Sequence, residues 1–215
     1  MGMHMEHIYI ALVDTPGIFA VLIRRFLKQK YIHVVLSMDE KLEEAYSFGR
    51  RNPQIPFFAG FEREDKNKIL QAFPTADYMV CELTCSEGQK DKIRERLRRD
   101  YIKRRHYHYA VPGLPFIVCG IPFYCKNQYT CSSYIARILN ENHICISKKH
   151  FSLVTPRDFY LYPNKKTVFE GSLEEFVRMT EYAAAPEKAA MPGNRNKSGK
   201  DGRSMRQRMV AAYGG

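Results

Sequence analysis

The chain has no window of 18 unbroken apolar residues, so a membrane-spanning helix is not expected. Its first residues, Met1 to His7, lack a basic stretch ahead of an apolar one. The later apolar run at 18–23 is short and ends in Arg24 and Arg25. No small-residue cleavage site follows, so a secretory signal is not expected either. There is no internal repeat. Of the six cysteines, at 81, 85, 119, 125, 131 and 145, Cys81 and Cys85 are four apart with no second close pair. That spacing gives little support to zinc, and no metal or other cofactor is expected. Reduced thiols in a cytoplasmic protein are the reading that follows.

What is present suits one ordinary domain. The 215 residues are 45% hydrophobic and 13% aromatic, enough for a sizeable core. The net charge of +11 is unevenly spread. Residues 90–105 hold nine cations and three anions, and residues 195–215 hold six cations and one anion, which together account for all of it. The body of the fold is therefore about neutral. The reading divides the chain into a domain over 1–182 and a basic, Gly-rich, disordered tail over 183–215, available to an anionic partner.

Periodicity predicts strands at 7–13, 32–37, 42–47 and 76–85, and helices at 18–30, 87–103, 130–142 and 173–182. Residues 48–75 read as irregular at both ends. Strands and helices mix without a βαβ rhythm, so an α+β fold is expected.

Chemistry concentrates at Tyr129-Thr-Cys-Ser-Ser-Tyr-Ile-Ala136. Cys131 shares the apolar face of Tyr134 and Ile135 and sits in the first turn of its helix. Free amides and the helix dipole there favour a thiolate. It reads as a nucleophile or as a small core residue. A thiolate nucleophile needs an imidazole, and the imidazole needs an orienting group. Among seven histidines, His33 alone lies inside an apolar strand, as a base or as a satisfied core side chain. If strands 32–37 and 42–47 form a hairpin with Met38 and Asp39 at its tip, His33 faces Glu44. Another register would offer Glu43 or Ser47.

His33-Val-Val-Leu36, Leu42-Glu-Glu-Ala45 and the Cys131 segment, in this order, resemble the YiiX/YebB-like branch of the NlpC-type papain-like cysteine hydrolases. That branch is circularly permuted, with the histidine strand first and the nucleophile helix last. The resemblance implies a permuted papain-like fold with a central antiparallel sheet packed against helices. It also implies a triad of Cys131 as nucleophile, His33 as general base and Glu44 as orienting residue. The implied activity is hydrolysis of an amide bond, in a peptide or related substrate, through an acyl thioester. A small-molecule, peptide or lipid substrate bearing an acyl group would serve. A lipid acyltransferase or thioesterase of the permuted lecithin:retinol acyltransferase-like group could use the same triad, and a non-catalytic basic binding module is the alternative outside enzymology. Tyr129 and Tyr31 are candidate oxyanion donors. Arg50, Phe57 and Phe58, with Phe61, are candidate substrate contacts, or aromatics packed under an irregular loop.

Overall fold

Strand β1 (Met5–Asp14) explains the layering. Its side chains alternate between two separate cores: Ile8, Ile10 and Leu12 enter one, while Tyr9, Ala11 and Val13 enter the other. A strand with apolar residues at both parities must be covered on both faces, and this one is. In this computed structural model the described residues are 5–16, 24–25, 29–50 and 59–182, with the side chain of Arg50 excluded. The expected helix at 18–30 lies mostly outside them, as does the tail at 183–215.

Six strands form one antiparallel sheet. β1 lies between β2 (His33–Ser37) and β5 (Asp77–Ser86). Beyond β2 come β3 (Ala45–Arg50) and then β4 (Ala59–Glu64), and beyond β5 comes β8 (Lys166–Ser172). A short parallel pair, β6 (His108–Tyr109) and β7 (Gln128–Tyr129), forms a second sheet. Six helices are described: α1 (Lys66–Ala72), α2 (Glu87–Ile102), α3 (Leu114–Cys119), α4 (Cys131–Glu141), α5 (Pro156–Leu161) and α6 (Leu173–Tyr182). The expected α+β class holds. No described helix is long and apolar enough to cross a membrane.

One core joins Ile93 and Leu97 of α2, the Tyr134, Ile135, Ile138 and Leu139 stripe of α4, and Phe159 of α5. The other joins α6, through Leu173, Phe176 and Val177, to Ile69 and Leu70 of α1. Cys81 and Cys85 both enter the first core as free thiols, and burial pushes both thiols up.

The sequence pattern predicts a strand at 42–47 and a stretch over 48–75 that is irregular at both ends. Instead, β3 begins at Ala45, and β4 and α1 occupy the stretch after residue 58. The cause is the connection after β2. Asp39 accepts from the Glu43 amide at 3.0 Å and the Glu44 amide at 2.7 Å, and the Met38 amide donates to the Glu44 carbonyl at 3.0 Å. Ser37 donates to the Asp39 carbonyl at 2.8 Å. These bonds close a loop from Met38 to Glu44 in place of a tight turn, with Leu42 in the left-handed region at φ 59°. The register becomes Leu36↔Tyr46 and Ser37↔Ala45.

Ile10 lies at the middle of this sheet with almost no exposed surface. Ile10→Ala should lower unfolding free energy by about 2–5 kcal/mol, as expected for a truncated core aliphatic. Urea denaturation would measure it as a lower midpoint at unchanged slope.

Candidate active site

Helix α4 begins at Cys131 because Thr130 caps it. The Ser133 amide donates to Thr130 Oγ1 at 3.1 Å, and the Thr130 amide donates to Ser133 Oγ at 2.8 Å. Three contacts fix the helix further. Ser132 donates to the Val154 carbonyl at 2.7 Å, and Tyr134 donates to Asp100 Oδ2 at 2.9 Å. The Tyr134 ring also packs on Phe48 and Phe61, with centroids 4.8 and 4.7 Å away. Asp100 is buried on α2 and neutralised by Arg96 Nε at 2.7 Å. The expected charged helix thus carries one acidic group inward as an anchor for α4.

The Cys131 sulfur and the His33 imidazole at the start of β2 are close enough for each to shift the other's ionisation through charge and hydrogen bonding. On its other side His33 Nε2 lies 3.1 Å from Glu64 Oε1, the last residue of β4. Ser47 of β3 donates to the same Glu64 oxygen. The His33 side chain is 22% exposed, so one part of the ring remains open to solvent.

The charges support one another. Burial works against the imidazolium, but the Cys131 sulfur and then Glu64 outweigh it and push His33 up to about 10. Burial also works against the thiolate. The His33 charge and hydrogen bond, with backbone hydrogen bonds from Val34 and Ser132, hold the Cys131 thiol below its usual value. Desolvation works against the Glu64 carboxylate too, yet its bond to His33, the imidazolium charge and the Ser47 hydroxyl hold its carboxyl low. Each charge thus favours its neighbour's, and the three shifts all run toward thiolate, imidazolium and carboxylate.

Tyr109 is the fourth member. Burial, then the charge at Cys131, keep its phenol protonated far above the ordinary range. Its neutral phenol is near enough to feel the charge at Cys131.

Gly49 makes the arrangement possible. The β3–β4 register sets it opposite Gly60. A Cβ at Gly49 would come 3.0 Å from Glu64 Oε1, 3.2 Å from Ser47 Oγ and 3.8 Å from His33 Cε1.

The structure brings Cys131 and His33 together and leaves Glu44 elsewhere, which corrects the expected His33–Glu44 pairing. The longer loop moves Glu44 out of the ladder. Its carboxylate takes Arg98 Nε at 2.8 Å and Nη2 at 3.1 Å, and Arg94 Nε lies 3.5 Å away. It lines a surface pocket with Tyr46, Arg63 and Tyr101. Ser47 reaches the site, but through Glu64. Glu43 instead pairs with Lys66.

The two tyrosines proposed as oxyanion donors are committed. Tyr31 donates to Glu170 Oε1 at 2.7 Å. The Tyr129 hydroxyl lies 2.6 Å from Arg137 Nη1 and 3.0 Å from that of Tyr124. Phe61 is fully buried and belongs to the core instead of a ligand site. Phe57, Phe58 and the Arg50 side chain lie outside the described residues. Among the described residues no three His, Cys, Asp or Glu side chains gather as metal ligands.

Sequence reasoning missed Glu64 and Tyr109. Glu64 lies in a charged run, Glu62-Arg-Glu-Asp65, that reads as a loop. Its strand signal was Gly60-Phe61 followed by alternation into Asp65, which caps α1 by accepting from the Asn67 and Lys68 amides. Tyr109 lies in the alternation His106-Tyr-His-Tyr109, which suits a surface or edge strand and carries no local sign of Cys131.

Comparison with known proteins finds no match to a family model, to a curated protein or to a solved structure.

Two outcomes follow from this geometry. Cys131 should be alkylated at a rate that persists well below pH 9, the value of an unperturbed thiol. Glu64→Gln removes a charge that favours imidazolium, so the His33 pKa falls, the thiol pKa rises and alkylation at neutral pH slows. Stopped-flow iodoacetamide labelling against pH, with Cys131 followed by peptide mass, would measure both. Gly49→Ala should crowd Glu64 and lower stability by about 1–3 kcal/mol, read by thermal or urea unfolding, with slower labelling at neutral pH.

Proposed function

We propose that this chain is a thiol-dependent hydrolase that cleaves an amide bond, in a peptide or related substrate, on a circularly permuted papain-like scaffold of the NlpC type. One observation carries the reading: a thiol at a capped helix start is coupled electrostatically to a part-exposed imidazole that is itself hydrogen-bonded to a carboxylate. The order His33, Glu64, Cys131 keeps the histidine-first arrangement on which the resemblance rests, with Glu64 in the role expected of Glu44.

The chemistry follows from the charges. The Cys131 thiolate attacks the carbonyl carbon, forming a carbon–sulfur bond and placing negative charge on oxygen. The Cys131 amide, in a first turn where helix N–H groups lack intrahelical acceptors, and the Tyr109 hydroxyl are the donors proposed for that oxygen. The carbon–nitrogen bond breaks as His33 gives its proton to the leaving amine. Neutral His33 then takes a proton from water, whose oxygen attacks the thioester, and sulfur leaves as thiolate. The imidazolium–thiolate pair is restored. Glu64 is a positioning residue: it holds the ring and favours its charged form.

The test is acylation of the whole protein by activated amides, esters and thioesters, read by intact mass and by turnover. An acyl adduct on Cys131, absent in Cys131→Ala and slowed by about 10²–10⁴ in His33→Ala, is expected. Glu64→Gln should slow turnover at least ~10-fold, whereas Glu44→Gln should leave it unchanged. Adducts that persist in Cys131→Ala, or none on any substrate, would overturn the proposal and favour a binding protein.

A further inference from the structure

Between β6 and β7 the chain makes an excursion whose composition is extreme. Residues 111–124, VPGLPFIVCGIPFY, contain no charged or amide side chain. In a domain of this size such a stretch ought to be buried. It is not: Val111, Leu114, Phe116, Val118, Ile121 and Tyr124 are all exposed, Val118 at 58% and Ile121 at 53%.

The excursion is nevertheless built. Helix α3 ends at Gly120, whose φ of 69° suits a residue without Cβ. The Gly120 amide donates to the Ile117 carbonyl at 3.2 Å and the Ile121 amide to the Phe116 carbonyl at 2.9 Å. Phe116 and Phe123 stack with centroids 4.4 Å apart. The Phe123 amide donates to Ser152 Oγ at 3.3 Å, tying the returning arm to the body. An ordered apolar surface held outward is an interaction site by its physics.

Charge selects the occupant. From residue 101 to 140 the sequence has no Asp or Glu, but holds Lys103, Arg104, Arg105, Lys126 and Arg137. Because β6 and β7 run parallel, the residues that precede each strand come to one end of the pair. Arg105 and Lys126, both exposed, lie three and two residues before the strands that they precede, on the approach to that end. Arg104 is held nearby, 3.7 Å from Glu62. An apolar tip with a cationic collar matches an anionic bilayer: apolar side chains enter the acyl boundary while cations meet headgroups. A second copy of this chain would bring like-charged collars together, which opposes that pairing.

We propose that the excursion at 111–124 docks the protein on an anionic lipid surface. The inference stands apart from the chemistry at Cys131 and would survive its failure.

The test is co-sedimentation of the full chain with vesicles of phosphatidylcholine alone and of phosphatidylcholine with 30% phosphatidylserine. Binding to the mixed vesicles is expected, weakening as salt rises. Val118→Glu with Ile121→Glu should reduce it at least ~10-fold, and Arg105→Glu with Lys126→Glu should do the same on mixed vesicles. All four positions are exposed, so unchanged circular dichroism and unfolding midpoints should accompany the loss. Equal binding to neutral vesicles, no binding, or binding untouched by either pair overturns the proposal. So does self-association that Val118→Glu abolishes without any vesicle binding, which assigns the surface to a second copy.

Discussion

A buried sulfur and a part-buried imidazole can both carry charge only if each has a second source of stabilisation. Burial opposes ionisation of Cys131, His33 and Glu64 alike. Taken alone, each would prefer to be neutral. Taken as a row, the negative, positive and negative groups stabilise their neighbours. The Val34 and Ser132 backbone at one end and the Ser47 hydroxyl at the other favour the charged forms of the outer members. The local architecture serves that row: a capped helix for the thiol, a strand start for the ring, and a strand end for the carboxylate.

Space matters as much as charge. Glu64 reaches His33 across β3, and a strand with a side chain at position 49 would stand in the way. Gly49 opposite Gly60 clears the path. Neighbouring Phe48 and Phe61 enter the first core and carry Tyr134, so the same two strands that admit the carboxylate also hold the thiol helix. The position of Cys131 is coupled to α2 as well, through the Tyr134–Asp100 bond and Arg96.

Much of this was legible in the sequence, for local reasons. Thr130, Ser133 and the apolar stripe announce α4 to within a residue, since capping and periodicity are properties of adjacent side chains. His33 was legible because an apolar strand fixes its direction. Glu44 was not placed correctly because register depends on loop length. The loop length here is set by one aspartate, Asp39, folding back on the Glu43 and Glu44 amides. A turn of Met38 and Asp39 gives one register, and the seven-residue loop gives another. Glu64 was hidden because a half-exposed edge strand ending in alternating charges looks like a loop. The closeness of Tyr109 to Cys131 is a tertiary fact with no local signature.

The most direct measurement is an NMR titration of the His33 ring in the intact protein and in Cys131→Ala. The account predicts a doubly protonated imidazole in the native chain at pH 8, with a clearly lower pKa once the sulfur is gone. A ring that titrates near its ordinary value of 6.5 in both proteins would contradict it, because the imidazole would then owe nothing to the thiolate.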